Sequence, residues 1–271
     1  MKKALVILLA LLLALSFAAC GEKKNESSAS ETEAVKFTVG FDAEYPPYGY
    51  LAEDGTYTGF DLELAEEVCK IYGWELVKQP IDWASKDFEL NSGSIDCIWN
   101  GFTYNGREND YTWTEAYVDN SIVWIVKKDS GITTAEDLAG KNVVTQDGSS
   151  AATALTATED NDENLALAAT FASLKFPANF NTCFEDLASG VADAIAIDIG
   201  VAKYQLENRG TDQFVMLEKP LSTEQYAVGF KLGNTELRDK VQAGINTLVE
   251  NGKFMQLAEK YGLQDMVCLG K

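Results

Sequence analysis

From Lys36 onward the chain alternates between short apolar runs and stretches whose apolar positions recur every three or four residues, the signature of strands interleaved with amphipathic helices. AVKFTVGF (34–41) predicts a strand, and EDGT (53–56) a turn. DLELAEEVCKIYG (61–73) predicts a helix with Leu64, Ala65, Val68, Cys69 and Tyr72 on one side and Gly73 as its stop. WELVKQ (74–79) predicts a strand and SKDFELNSG (85–93) a helix. SIDCIWNGF (94–102) is a strand apolar almost throughout, as in parallel strands covered on both faces. NSIVWIVKK (120–128) is another strand.

The pattern then restarts. TTAEDLAG (133–140) predicts a short capped helix, KNVVTQ (141–146) a strand and GSSAATALTAT (148–158) a helix start. A helix over NTCFEDLASG (181–190) and a strand over VADAIAI (191–197) follow, then a helix over IGVAKYQLEN (199–208). QFVML (213–217) and TEQYAVGF (223–230) read as strands, and helices near 235–251 and 253–261 end the sequence. Such alternation predicts an α/β fold with mainly parallel sheets, which bind ligands beyond the carboxyl ends of their strands.

The first 34 residues read differently. Two lysines precede an uncharged apolar run from Ala4 to Ala19, shorter than the roughly 20 residues of a comfortable bilayer span. This predicts a secretory signal over 1–19. FAAC resembles a bacterial lipobox, with Phe17 in the place usually held by leucine, and makes Cys20 the expected lipidated first residue. GEKKNESSASETEA (21–34) lacks large apolar side chains and reads as a disordered tether. The expectation is an extracytoplasmic protein anchored to the cell membrane through the Cys20 lipid.

Composition narrows the chemistry. Twenty-two basic and 42 acidic residues give a net charge of −20, and there is no histidine. Such a surface disfavours nucleic acid. The lack of histidine excludes a histidine-based triad and histidine metal ligands. Cys69, Cys97, Cys183 and Cys268 form no CxxC pair, so no metal site and no cofactor is expected. Their disulfide state is open, although Cys69 and Cys97 fall on buried-looking positions.

Four places just past predicted strands carry the candidate chemistry. Asp42 and Tyr45 follow Phe41 in a loop stiffened by Pro46 and Pro47. Gly101, Thr103 and Arg107 follow SIDCIW. Gly148, Ser149 and Ser150 follow KNVVTQ, and Asp198 follows DAIAI. Arg107 carries a permanent guanidinium fork suited to a carboxylate. The serine helix start offers free N–H groups to an anion. Asp198 ends an apolar strand and needs a cationic partner or a cap. Tyr45, Tyr48 and Trp83 can pack against a ligand. The set fits a zwitterion. Taken singly, each residue has a plainer reading: Arg107 a surface arginine, Ser149 or Ser150 an N-cap, Asp198 a helix cap, Trp83 a plug between helix and sheet.

In their order along the chain, GFDAEYPPYGY, TGFDLELAEEV, IDW, SGSIDCIWNGFT, DLAGKNVVTQDGSS and SGVADAIAID resemble the polar-amino-acid branch of the solute-binding proteins that serve ABC importers, from about Val35 to Leu263. The resemblance implies a monomeric, two-lobed periplasmic-binding-protein fold of type II, with no catalytic activity. It implies lobe one over 35–125 plus 226–271 and lobe two over 126–225, with crossings near Trp124–Asp129 and Pro220–Val228. It assigns the ligand's carboxylate to Gly101, Thr103, Arg107 and the Ser149–Ser150 helix start, and its ammonium to Asp198. Asp42, Tyr45, Trp83 and Gln146 are left for the side chain. Arg107 follows Thr103 by four residues where the family usually has five, so a tight Asn105–Gly106 turn must present it. The expected ligand is an amino acid, polar or basic and glutamine-like by preference, passed to an ABC-transporter permease. A secreted dehydratase on the same fold and a ligand sensor are the alternatives.

Overall fold

The computed structural model describes residues 34–157, 162–210 and 212–270. The expected signal segment, Cys20 and the tether up to residue 33 lie outside the described residues.

The chain forms two α/β lobes. The first begins with β1 (Lys36–Phe41), a small sheet of β2 (Glu44–Tyr45), β3 (Gly49–Leu51) and β4 (Tyr57–Thr58), then β5 (Glu75–Pro80), β6 (Cys97–Ile98) and β7 (Tyr111–Trp113). The second comprises β8 (Val118–Lys127), β9 (Asn142–Val144), β10 (Ser173–Lys175), β11 (Ala194–Asp198), β12 (Phe214–Met216) and β13 (Ser222–Tyr226). The chain then returns to the first lobe through β14 (Gly229–Lys231). The first sheet runs β5–β1–β6–β14–β7, and the second runs β10–β9–β11–β8–β12 with β13 also on β8.

Parallel pairing occupies the half of each sheet where helices join successive strands: β1 with β5 and β6, and β9 with β10 and β11. Strands that carry the chain between lobes must run back the other way and pair antiparallel. Every candidate site position discussed below therefore sits past the carboxyl end of a parallel strand or on a strand that crosses.

Local sequence accounts for the helices. Phe60–Tyr72 buries Leu62, Leu64, Ala65, Val68 and Cys69, and Gly73 ends it at φ 65°, where glycine carries no Cβ penalty. Tyr72 instead lies at the surface, stacked on Trp74 at 4.7 Å. The TTAEDLAG segment forms a single 3-10 turn, Ala135–Leu138, with the Thr134 and Asp137 capping box in place. The thiols of Cys69, Cys97 and Cys183 are buried.

Two expectations are corrected. The first crossing falls at residues 114–117, not at Trp124–Asp129. Trp124 lies mid-strand in the second sheet, because β8 is long enough to pair with β11, β12 and β13 at once. The single strand read over 223–230 is instead two, β13 and β14, separated at Ala227–Val228, where the chain crosses back within the expected Pro220–Val228. The apolar run 94–102 keeps ladder pairing only at Cys97–Ile98. Beyond it Gly101, at φ 56°, turns the chain. The two- and three-residue strands β2, β3, β4, β7 and β10 were not predicted, since segments so short show no period.

Candidate ligand-binding cleft

The strand ends meet between the lobes. Tyr45, Trp83, Gly101, Thr103, Arg107, Gln146, Ser149, Ser150 and Asp198 line one cavity, joined by Asn100. Asp42 stands behind this wall, and Tyr48 is wholly buried, edge-on to Tyr226 at 5.2 Å. A Cβ on Gly200 would approach the Tyr48 hydroxyl to 2.4 Å. Tyr48 is thus a packing residue between the lobes.

The turn Tyr104–Arg107 closes with Arg107 N donating to Tyr104 O at 3.0 Å, and Gly106 takes φ 77°. With this turn Arg107 lines the cavity. The guanidinium lies 5.2 Å from the Phe102 ring centroid and donates from Nη1 to Thr103 O at 3.2 Å. Phe102 also meets Trp83 edge-on, at 5.6 Å and 90°, so the aromatic wall and the arginine share one support. Facing them, Ser149 Oγ accepts from Ala152 N at 3.1 Å and caps the helix Ser150–Thr156. The plainer reading of Ser149 is therefore present alongside its place in the cavity wall.

Gly101 is required where it stands. A Cβ there would come within 2.8 Å of Tyr45 and 3.0 Å of Tyr226. Its N–H donates to Asp61 Oδ2 at 2.6 Å. Asp61 is fully buried, and desolvation pushes its carboxyl up to about 7.

Gln146 reaches across the cleft. Its Nε2 donates to Asp42 Oδ2 at 2.6 Å and to Ala178 O at 3.0 Å. Both neighbours can only accept, a carboxylate and a carbonyl, so the amide must point its nitrogen at them. The acceptor that Gln146 adds to the cavity wall is then Oε1. Asp42, whose carboxyl burial holds above its usual range and whose Oδ1 takes Glu44 N at 2.8 Å, fixes this orientation.

Asp198 closes the cavity. It ends the buried strand β11, and its side chain makes no capping bond to the helix Ile199–Arg209. Instead Oδ1 accepts from Asn120 Nδ2 at 2.8 Å and from the Tyr226 hydroxyl at 2.5 Å. Tyr226 lies 3.1 Å from the Tyr45 hydroxyl. Asn120 also donates at 2.8 Å to Glu224 Oε1, which takes Thr103 Oγ1 at 2.7 Å and Ser150 Oγ at 3.1 Å. Sequence reasoning missed Asn100, Asn120, Glu224 and Tyr226. The available signal was Glu224 alternating with Tyr226 on one face of β13, a charge sharing a face with an aromatic residue.

Lys86 was missed as well. It lies almost buried beside Trp83, and Nζ donates across the cleft to Gly148 O at 3.1 Å. Burial and the nearby Arg107 charge lower its ammonium to about 8.

The comparisons agree with this architecture. Residues 37–264 match the sequence profile of the bacterial extracellular solute-binding proteins, family 3. The arginine-binding extracellular protein ArtP of Bacillus subtilis is 28% identical, aligned over 96% of this chain and 98% of its own. The L-cystine-binding protein TcyJ of Escherichia coli is 28% identical over 82% of this chain and 81% of its own. Among solved structures, an ABC uptake transporter substrate-binding protein from Streptococcus pneumoniae with bound histidine superposes with a TM-score of 0.80, at 34% identity over 86% of this chain and 94% of that one. With its two lobes, its two crossings and a profile match across nearly all of the described residues, the chain belongs to the bacterial extracellular solute-binding proteins, family 3.

Proposed function

We propose that the chain captures a free amino acid with a polar or basic side chain outside the cytoplasm and delivers it to an ABC importer. In this reading it acts as a monomer and is held at the membrane by a lipid on Cys20. The observation that carries the proposal is the presence of Arg107 and Asp198 in the wall of one cavity, a permanent cation and a buried anion suited to the two ends of a zwitterion. Asp42 serves in a way the sequence did not suggest: it turns Gln146 so that an acceptor faces the ligand's side chain. That favours side chains ending in N–H donors: carboxamide, guanidinium, ammonium or imidazole. ArtP, TcyJ and the pneumococcal protein are binding proteins by name, which favours capture over catalysis. A melting-temperature screen over the twenty amino acids, followed by calorimetry with the best one and its N-acetyl form, tests the proposal. The free amino acid should bind and the N-acetyl form should not. Equal binding of the two would show that no ammonium is read.

A further inference from the structure

Two buried acids lie close together here: Asp198 lines the cavity, and Glu224 stands behind its wall, bonded to the lining residues Thr103 and Ser150. Asp198 and Glu224 flank β8 on either side. In the ladders Asp198 pairs with Ile122 and Glu224 pairs with Asn120, so both carboxyls share the sheet face of Asn120. The two hydrogens of the Asn120 amide go one to each acid, at 2.8 Å in both cases. Both acids are nearly buried, at 3% and 8% exposure. Among the described residues the side-chain donors that reach them are neutral: Asn120, Tyr226, Tyr45, Thr103 and Ser150. No ion pair to either acid occurs among the described residues.

Two like charges desolvated side by side and served only by neutral donors are unstable unless a proton or a cation joins them. We propose that Glu224 is the second acid of the cation site, so that Asp198 and Glu224 hold a proton between them in the free protein and release it when the ligand's ammonium enters. This rests on the amino-acid reading and adds to it a partner for Asp198 and a proton for each ligand bound.

Glu224 also changes what its neighbours offer. Thr103 Oγ1 and Ser150 Oγ each have one hydrogen, and both hydrogens point at Glu224. Their lone pairs are left to accept from the ammonium. The ligand's carboxylate is then met by Arg107 and the N–H groups at the start of the helix Ser150–Thr156, not by these two hydroxyls.

The balance is simple. The ammonium brings one positive charge, the shared proton leaves to solvent, and the net charge of the site is unchanged. The groups facing the pair are consistent with this. Tyr45, Tyr48 and Tyr226 have hydroxyls that burial and the acids raise well above their usual range, so they stay protonated. Arg107 is the cation in the same cavity wall, and Asp119 and Asp265 line the outer groove beside Glu224. Burial, followed by the Asp198 charge, pushes Glu224 up to about 7, and burial raises Asp198 too. A proton that is partly retained at neutral pH and displaced by a cation makes affinity rise with pH through about 7.

The test uses the mature chain with L-arginine, L-histidine and L-glutamine as probes. Titration calorimetry is run at pH 6, 7 and 8 in phosphate and in Tris, whose ionisation enthalpies differ, so that released protons are counted directly. With the tightest probe, wild type should release part of a proton at pH 7 and bind more tightly at pH 8 than at pH 6. Glu224→Gln should bind at least about tenfold more weakly at pH 8 and lose both the proton release and the pH slope. A wild type that binds with no proton release and a flat affinity overturns the acid pair while leaving the amino-acid reading intact, and needs no variant to fold. Unchanged affinity and proton count in Glu224→Gln does the same. If none of the three probes binds, the same titrations are run with the best of the twenty amino acids, and failure of every amino acid to bind overturns the pair together with the reading on which it rests.

Discussion

Gln146 Nε2 lies 2.6 Å from Asp42 Oδ2, a hydrogen bond that joins the end of β9 in one lobe to the end of β1 in the other. It decides which face of an amide looks into the cavity. Asp42→Asn leaves the size of the side chain unchanged but offers Gln146 a donor as well as an acceptor, which frees the amide to turn over. Affinity for L-arginine or L-glutamine should fall by about 1–3 kcal/mol. Affinity for L-glutamate, whose side chain needs a donor, should fall less or rise. Calorimetry with the three amino acids gives the ratio directly, and an unchanged ratio would show that Gln146 does not read the side chain.

Arg107 is supported by its turn and by the Phe102 ring, and no salt bridge to it occurs among the described residues. Arg107→Lys retains the charge and loses the fork, so binding should weaken; Arg107→Ala should weaken it further, by about 2–5 kcal/mol. Neither change should lower the melting temperature of the free protein much, since among the described residues the guanidinium gives up one hydrogen bond, at 3.2 Å to Thr103 O. Wild-type affinity in Arg107→Ala would mean that the ligand's carboxylate is held by the helix start alone.

How much of this was legible beforehand follows from distance along the chain. Asp198 could be read because one strand carries its own signal, four apolar residues and then a charge. The Arg107 turn could be read because Asn105–Gly106 is local. Glu224 could not, because its donors Thr103, Asn120 and Ser150 lie 121, 104 and 74 residues away. Asp42 was found, but its role was not, since Gln146 comes from 104 residues further on. The first crossing was misplaced because the apolar run 120–128 looks the same whether it bridges two lobes or sits inside one. Only pairing with β11 and β13 decides between them.

Asp61 offers a pH test of stability that is independent of ligand. Its folded value, about 7, lies above the roughly 3.9 of an unfolded aspartate. Between those values the folded chain binds the extra proton, so the stability this group contributes is full below pH 4 and is lost as pH rises through 7. Glu224, also pushed up to about 7, acts in the same direction. The urea midpoint should therefore fall between pH 5 and pH 8. Asp61→Asn keeps an acceptor for Gly101 N and removes its titration, so it should flatten about half of that fall, leaving the part due to Glu224. An undiminished slope in Asp61→Asn would place the titrating group elsewhere.

Lys86 gives the last expectation, on closure. It is absent from the cavity wall, yet Nζ donates to Gly148 O across the cleft at 3.1 Å while lying 5.3 Å from the centroid of the Trp83 ring. The contact joins the loop before the helix Ser150–Thr156 to the Trp83 turn of the other lobe, so if the lobes part and close about a hinge, as in periplasmic binding proteins, it belongs to the closed arrangement and not to the ligand itself. A hydrogen bond from a charged donor contributes about 1.5–3 kcal/mol. Desolvating the ammonium beside Arg107 offsets part of that, as its lowered value of about 8 indicates. Lys86→Met keeps the aliphatic packing on Trp83 and removes the donor. Affinity should fall by roughly 1 kcal/mol through faster release, because the encounter with the open cleft is untouched and only the closed state is weakened. Stopped-flow measurement of both rate constants separates the cases. A slower association with unchanged release would show that Lys86 acts by drawing in the ligand's carboxylate, and the closure role would have to be given up.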